Sequence, residues 1–305
     1  MSGNVLAGST VVLPVSDERS CKSCHASTSG YTAAKPASGW VNDATDVEKD
    51  WKKNILRLHD EKFPNAIASA GMSASYTGGT LSATVAAGQP VLCAACHKSN
   101  ALGTAQVGSI PPLTTAMHSK HALVINPNTG ASLESDATRT ACYLCHPGSV
   151  TKCLRGVMGN AVDANGKPLI DCQSCHGPMS AVGKTGREGW LDEPACQNCH
   201  DRPAAGAAFS RYTSVFSSGT TLRTNVDTLF ATNADKPATG KSLYRFSAGH
   251  GSLQCEACHG ATHAEYPSSH ANDNVQAQAL QGHAGTIAEC TVCHATNPTN
   301  IVSGG

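Results

Sequence analysis

The chain has 305 residues, and its 22 lysine and arginine residues balance its 22 aspartate and glutamate residues. Charged residues make up 14% of the sequence, against roughly 25% in typical soluble domains. This composition excludes a basic nucleic-acid surface and a polybasic membrane-surface segment. No apolar run reaches the roughly 18 residues that a membrane-spanning helix needs, so no membrane span is predicted.

The first recognisable element is the pentapeptide Cys21-Lys-Ser-Cys24-His25, and the same Cys-x-x-Cys-His pattern recurs six more times. In this spacing two thiols attach to one porphyrin and the histidine binds its iron, which is the signature of c-type haem. Zinc clusters and disulfides also use paired cysteines, but neither requires the following histidine. The sequence therefore predicts seven covalently bound haem c groups. The predicted thioether residues are Cys21, Cys24, Cys93, Cys96, Cys142, Cys145, Cys172, Cys175, Cys196, Cys199, Cys255, Cys258, Cys290 and Cys293, and the predicted proximal ligands are His25, His97, His146, His176, His200, His259 and His294.

The histidines outside the motifs are as numerous as the motifs themselves. One distal imidazole for each iron would use every histidine in the chain, so bis-histidine ligation is predicted at all seven haems. Methionine is the alternative distal ligand, at Met117, Met158 or Met179, but methionine more often fills apolar gaps. The predicted distal ligands are His59, His118, His121, His250, His263, His270 and His283.

One helix is predicted after the first motif. Thr45 and Glu48 have the spacing of a capping box, and Pro64 prevents the helix from continuing. His59 lies on the same face as the apolar residues of this helix, where we expect it to be a haem ligand rather than a buried core residue. The apolar face consists of Val47, Trp51, Ile55 and Leu58.

A small β-hairpin is predicted next, from Met72–Thr77 and Thr80–Val85 around the turn Gly78-Gly79. Residues 209–244 have no assignable pattern. Farther on, Gly249-His250 and Gly282-His283 each precede a haem motif, which is typical of a duplicated haem-binding unit.

The spacing of the motifs predicts one haem-wired unit over 1–305, with loose blocks at 1–130 (haems 1 and 2), 131–205 (haems 3 to 5) and 206–305 (haems 6 and 7). The predicted fold class is a multihaem cytochrome c, mainly irregular with short α-helices and little β, wrapped around a chain of closely packed haems. No spare histidine lies between His146 and His250. At least two of the three haems in the central block must therefore take distal ligands from distant parts of the sequence.

Cys153 is the one cysteine outside the motifs, and we expect a buried thiol there, with an intermolecular disulfide or a redox-active thiol as alternatives. Haem attachment to this motif takes place outside the cytoplasmic membrane, so the chain is expected to be exported. Residues 1–20 carry no signal-peptide pattern, which indicates a mature form. The expected location is extracellular or at the cell surface, with the periplasm as the alternative.

Several segments resemble the multihaem c-type cytochromes that metal-reducing bacteria use for extracellular electron transfer. They include Cys142-Tyr-Leu-Cys145-His146-Pro147, Cys172-Gln-Ser-Cys175-His176-Gly-Pro-Met179 and Cys255-Glu-Ala-Cys258-His259-Gly260. The resemblance implies an electron conduit without a catalytic residue, and in some members the subunits polymerise into filaments. Its implied partners are other copies of the chain in head-to-tail contact, redox partner cytochromes, and a metal oxide or electrode as terminal acceptor.

Two alternatives to a conduit remain open. One is a discrete periplasmic electron carrier. The other is an enzyme that resembles multihaem nitrite reductases or hydroxylamine oxidoreductases, in which one haem has an open face. Nitrite reductases often mark that haem with lysine in place of the motif histidine, and no such variant motif occurs in this chain. The sequence therefore favours electron transfer over catalysis.

Overall fold

The computed structural model describes residues 21–98, 107–146, 154–187, 194, 196–201, 210–224, 255–260, 263 and 271–297. Helices are the main regular elements in these ranges, and most of them are only one turn long. The α-helices are α1 Lys22–His25, α2 Val47–Lys62, α3 Ala66–Ser69, α4 Leu81–Ala86, α5 Cys93–Cys96, α6 Leu113–His121, α7 Arg139–Tyr143, α8 Val157–Asn160, α9 Gln173–His176, α10 Met179–Val182, α11 Glu256–His259 and α12 Val275–Gln281.

The described strands form two small antiparallel ribbons. Strand β1 (His200–Asp201) pairs with β2 (Ser210–Arg211), and β3 (Phe216–Ser218) pairs with β4 (Thr221–Leu222) through an irregular register. Short 3-10 turns occur at Thr32–Ala34, Cys196–Asn198, Ala271–Asn274 and Cys290–Val292. The described part of the chain is therefore mainly irregular with short helices and little β, as the sequence predicts.

Contacts divide the chain into two compact units. The amino-terminal unit contains the described residues of 16–149 and 176–193, and the carboxy-terminal unit contains those of 150–175 and 194–305. The division falls within the fourth motif, between Cys175 and His176. The single haem-wired unit with three blocks stays a prediction.

Helix α2 begins one residue later than the predicted capping box implies. Its N-cap is Asp46, whose carboxylate accepts a hydrogen bond from the Glu48 backbone N–H at 3.0 Å. The predicted cap at Thr45 is wrong, because that hydroxyl donates to Asp43 instead, at 2.7 Å. A carboxylate interacts more favourably than a hydroxyl with the positive end of the helix dipole. The predicted stop is confirmed, since α2 ends at Lys62, two residues before Pro64.

The buried face of α2 is more polar than its apolar periodicity indicates. Trp51 is buried as predicted, but Val47 is 73% exposed, and Asp50 and Asn54 are buried beside Trp51. The Asn54 amide accepts from the Val41 backbone N–H at 2.7 Å and donates to the Val41 carbonyl at 3.0 Å. This face of α2 therefore binds neighbouring loop backbone through hydrogen bonds, which the hydrophobic pattern does not reveal.

Asp50 connects α2 to the segment that follows the first motif. Its carboxylate accepts from the Ser27 backbone N–H at 2.7 Å, from the Ser27 hydroxyl at 2.6 Å and from the Asp43 backbone N–H at 3.2 Å. Burial alone would raise the pKa of Asp50, but these hydrogen bonds bring it below its ordinary value. The ionised carboxylate is therefore the form that holds the first motif against α2.

We expect Asp50→Asn to destabilise the protein by about 2 kcal/mol at neutral pH, because hydrogen bonds to a buried charge are lost. Guanidinium unfolding followed by circular dichroism measures this change. A carboxyl group with a lowered folded-state pKa contributes stability above its unfolded pKa of about 3.9 and loses that contribution as the pH falls. The difference between the two proteins should therefore shrink below about pH 4. Ser27→Ala should cost less than Asp50→Asn and add little to it, and strict additivity would contradict the proposed contact.

The predicted hairpin over 72–85 is wrong, because its second half forms helix α4. The Asp60 carboxylate accepts from the Leu81 and Ser82 backbone N–H groups, at 2.9 and 2.8 Å, and so caps the start of α4. The Thr80 hydroxyl accepts from the Ala83 N–H at 3.2 Å and provides a second cap. These two caps satisfy the first-turn donors of a helix, which outweighs the alternating pattern of the sequence.

The apolar core of the described residues is small. A buried cluster of Ile67, Tyr76 and Leu81 joins α3, α4 and the turn between them. Many large apolar side chains are exposed instead, among them Leu123 at 81% and Leu92 at 66%. No described helix combines the length and the apolar character needed to cross a bilayer.

Candidate functional site

Each motif with described backbone closes into a single tight turn. In motifs 1, 2, 3, 6 and 7 the backbone N–H of the histidine donates to the carbonyl of the first cysteine, at 2.8–2.9 Å. This helical turn lets cysteine side chains three positions apart point to the same side, with the histidine adjacent. The local fold therefore presents the two sulfur atoms and the imidazole together, as attachment to one porphyrin requires.

The motif cysteines are not arranged as disulfides or as a zinc cluster. No disulfide joins the fourteen motif cysteines, all of which the structure describes. Within the described ranges, no three His, Cys, Asp or Glu side chains converge to hold a metal ion.

The amino-terminal unit instead brings histidines together in pairs. His25 faces His121 with ring centres 6.4 Å apart, which we call site 1. His59 faces His97 at 6.3 Å in site 2, and His118 faces His146 at 5.9 Å in site 3. Each pair combines one motif histidine with one histidine from outside the motifs.

The spacing of these pairs fits a metal ion bound between two imidazoles. Two imidazoles that bind one metal from opposite sides, at about 2 Å each, have ring centres about 6.3 Å apart. Haem iron needs only two protein ligands, because the porphyrin supplies the other four. Edge-to-face ring contacts occur at similar distances, but they give no reason for each pair to combine a motif and a non-motif histidine. The residues present therefore fit haem iron.

Backbone carbonyls orient one ring in each site. The Nδ1 atoms of His121, His97 and His118 lie 2.7, 2.9 and 2.8 Å from the carbonyls of Met117, Pro111 and Thr114, respectively. A carbonyl can only accept, so Nδ1 carries the proton and the neutral ring keeps its lone pair on Nε2. This arrangement is typical of metal-binding histidines.

The opposite rings of sites 1 and 2 have a buried ring nitrogen without a protein partner. Within the described residues, His25 Nδ1 and His59 Nδ1 are buried and make no hydrogen bond. An unsatisfied buried polar atom is costly, and these two rings are not oriented by a backbone carbonyl as the rings of His121 and His97 are.

Burial also favours the neutral form of one histidine in each site. It lowers the pKa of His25 to about 4, with a smaller effect from the neighbouring His121. Burial is the main reason that the pKa values of His59 and His118 are lowered as well. A histidine must be neutral to bind a metal, so these environments hold His25, His59 and His118 in the form that metal binding requires at neutral pH.

The carboxy-terminal unit places motifs 5, 6 and 7 near one another. The Cys196 thiol lies 3.7 Å from the Glu256 carboxylate, beside the thiol of Cys255. The hydrogen bond between the two thiols raises the pKa of Cys196 and lowers that of Cys255. Motif 7 begins at Cys290, shortly after Ile287. The Ile287 backbone N–H donates to the carbonyl of Cys258 in motif 6, at 3.0 Å. The thiols of neighbouring motifs therefore lie side by side in this unit.

The remaining predicted distal ligands are only partly described. His263 lies in the carboxy-terminal unit, and its carbonyl accepts from the Arg155 backbone N–H at 3.1 Å. His283 follows Gly282, whose left-handed backbone (φ +82°) ends α12, and its Nε2 lies 3.6 Å from Glu289. His250, His270 and Cys153 lie outside the described residues, as does the repeated segment that contains Gly249.

Two kinds of supporting residue escaped the sequence analysis. The carbonyls that orient His118 and His121 come from residues four positions earlier, a spacing that could have been noticed for any histidine on a helix. Arg155 forms a largely buried two-point ion pair with Asp273, at 2.6 and 2.7 Å, beside its bond to His263. These partners are 118 residues apart, and no local pattern connects them.

Comparison with protein-family models, with curated proteins and with solved structures finds no match to this chain. The functional argument therefore depends on the seven motifs and on the geometry of the histidine pairs.

Proposed function

We propose that this chain is an electron-transfer protein that holds seven c-type haems, each bound by two histidines. The observation that carries the proposal is that three motif histidines each face a non-motif histidine at 5.9–6.4 Å. A pair at this separation suits an iron with four porphyrin nitrogens and two axial ligands. When bound, haem supplies an iron that accepts or releases one electron without the making or breaking of a substrate bond.

The residues of the chain would then do three things. The motif thiols attach the macrocycle covalently, so that spacing between haems is set by the polypeptide. The paired histidines would hold the iron from both sides, which would favour electron exchange over substrate binding and give a lower potential than histidine–methionine ligation. The backbone carbonyls of Met117, Pro111 and Thr114 fix the direction of three of the rings and increase their basicity.

An open haem face would support the competing proposal of a multihaem reductase or oxidoreductase. Sites 1, 2 and 3 each have a histidine on both sides, so the described geometry of the amino-terminal unit favours no such face. His283 is the described exception, since its Nε2 lies against Glu289. If the chain is an enzyme, its open haem face is therefore expected in the carboxy-terminal unit.

Ligand access distinguishes the two proposals. The oxidised holoprotein should show no substantial high-spin ferric signal by electron paramagnetic resonance, and the reduced protein should not bind carbon monoxide. His59→Ala should open site 2 and allow about one equivalent of carbon monoxide to bind, because one axial position becomes vacant. Stoichiometric binding to the unaltered protein would contradict the proposal and favour an enzyme.

Phe63 offers a matched control at the same site. Its ring centre lies 5.2 Å from that of His59, but phenylalanine cannot bind iron. Phe63→Leu should therefore remain low-spin and unreactive towards carbon monoxide. If Phe63→Leu also bound one equivalent, the effect of His59→Ala would reflect local disruption rather than loss of a ligand.

Export of the chain is part of the same proposal, because attachment of haem to this motif takes place outside the cytoplasm. The extracellular conduit and the head-to-tail filament that the resemblance implies stay predictions, with the discrete periplasmic carrier as the alternative.

A further inference from the structure

We propose that helix α6 supplies distal ligands to two haems at once, so that haems 1 and 3 form a directly coupled pair, and that Gly183 positions this helix. The inference rests on the proposed haem function and deepens it, because it sets the order of the haems in space. In the sequence, the second motif separates the two haems.

The two ligands lie one turn apart on one rigid element. His118 and His121 are three positions apart on α6, so they project from neighbouring points on its surface. His118 faces His146 of motif 3, and His121 faces His25 of motif 1. A single helix therefore borders both sites.

Both rings are held by the helix itself. Each Nδ1 donates to the carbonyl four residues earlier, from His118 to Thr114 at 2.8 Å and from His121 to Met117 at 2.7 Å. Neither ring depends on another segment for this bond. Any shift of α6 must therefore move both ligands together.

The motif sides of the two sites are also adjacent. The Cys145 thiol of motif 3 lies close enough to the Cys21 and Cys24 thiols of motif 1 to interact with them electrostatically. Thiols of motif 3 thus lie close to those of motif 1, although 121 positions separate Cys145 from Cys24 in the chain. The attachment edges and the distal ligands of the two haems are therefore neighbours at the same time.

Gly183 allows α6 to approach closely at the turn that carries His118. A Cβ atom at Gly183 would lie 2.8 Å from the Ser119 backbone nitrogen and 3.0 Å from His118 Cβ. Its φ of −83° is open to any residue, so space rather than backbone conformation requires glycine. Gly183 follows α10 and packs directly against the ligand-bearing turn of α6.

Glu134 connects the end of α6 to α10 through hydrogen bonds. Its backbone N–H donates to the carbonyl of Ala122, the residue after α6, at 2.8 Å. Its carboxylate accepts from the backbone N–H of Ser180 in α10, at 2.8 Å, and from the Ser180 hydroxyl. Helix α10 therefore cannot move away easily when Gly183 gains a side chain, and α6 must give way.

The experiment counts the haems that open when α6 is displaced. His118→Ala and His121→Ala should each let the reduced protein bind about one equivalent of carbon monoxide. Gly183→Val changes no ligand, yet it should open two haems and bind about two equivalents. A result of zero or one equivalent for Gly183→Val would overturn the shared-helix proposal.

Electron paramagnetic resonance identifies which haems open. The imidazole planes of site 3 are nearly parallel, at 13°, whereas those of site 1 are crossed at 78°. Parallel imidazoles split the iron d orbitals and give a rhombic signal, whereas crossed imidazoles leave them nearly degenerate and give a strongly anisotropic signal. Gly183→Val should convert one equivalent of each class to high spin, a signature that a general loss of stability would not produce.

The proposed closeness of haems 1 and 3 can be measured separately, from the relaxation of the haem 3 signal. His121→Ala makes haem 1 high-spin, and its faster relaxation should raise the microwave power needed to saturate the rhombic signal of haem 3. An unchanged saturation power would show that the two haems are not neighbours.

Gly159 is the matched control, and the unaltered protein separates the two proposals. A Cβ atom at Gly159 would lie 2.0 Å from the Leu154 carbonyl oxygen, in the carboxy-terminal unit. Gly159→Val should therefore leave both signals of the amino-terminal unit unchanged, and their loss would contradict a specific role for Gly183. High-spin iron in the unaltered protein would refute the proposed function itself, whereas a fully low-spin protein with an unresponsive Gly183→Val variant would refute only this inference.

Discussion

The intact mass of the holoprotein, measured under denaturing conditions, is expected to exceed the 31.3 kDa polypeptide mass by seven haem equivalents. All seven motifs are complete, and none carries a substitution at a cysteine or at the histidine. Thioether bonds survive denaturation, so the added mass counts attached haems directly. A stable species with six haems would contradict the prediction.

A cysteine series tests which residues carry the haems. The double variant Cys93→Ala/Cys96→Ala should lose one haem equivalent, because both thioether bonds of motif 2 are removed. Cys153→Ala is the matched control and should retain all seven, since this cysteine lies outside every motif. Loss of a haem from Cys153→Ala would mean that this thiol takes part in attachment or assembly.

The motifs could be predicted from sequence because their chemistry is local. Two thiols and one imidazole within five residues suffice to predict a haem attachment point, and the observed turn that joins them needs only one backbone bond, such as that from the His25 N–H to the Cys21 carbonyl. The end of α2 could be predicted for the same reason, since Pro64 acts through its own ring. Local rules fail when a distant side chain competes, as Asp60 does by capping α4.

The histidine pairs could not be predicted, because nothing in the sequence connects their members. His59 and His97 are 38 positions apart, and His25 and His121 are 96 positions apart. Histidine number alone indicated that pairs exist. In sites 1 and 3 their identity follows from the position of α6, which packs closely against Gly183.

The polar interior of α2 escaped prediction for a related reason. Helical periodicity ranks positions by apolar character, which favours Val47 and ignores Asp50 and Asn54. Both polar side chains are buried because loop backbone groups need partners, Val41 for Asn54 and Ser27 for Asp50. A chain with few large apolar contacts uses such bonds to fix its loops.

The same shortage of apolar contacts leads to the second large expected effect, which is that the chain does not fold without haem. Among the described residues, the largest fully buried side chains include Asn54, Asn126 and Thr84, which are polar. Polar residues at such positions contribute little hydrophobic stabilisation, and stability on the order of 5–15 kcal/mol normally depends on apolar burial. Exposed apolar side chains such as Leu123 and Leu92 are instead available to cover a macrocycle.

Protein produced without haem attachment should therefore show no cooperative thermal transition by circular dichroism, whereas the holoprotein should melt cooperatively. Only partial helical signal is expected in the apoprotein, mainly from α2, which has its own cap at Asp46, and from the cluster of Ile67, Tyr76 and Leu81, which packs without haem. A cooperative transition in the apoprotein, at a temperature near that of the holoprotein, would show that the polypeptide has a sufficient core of its own.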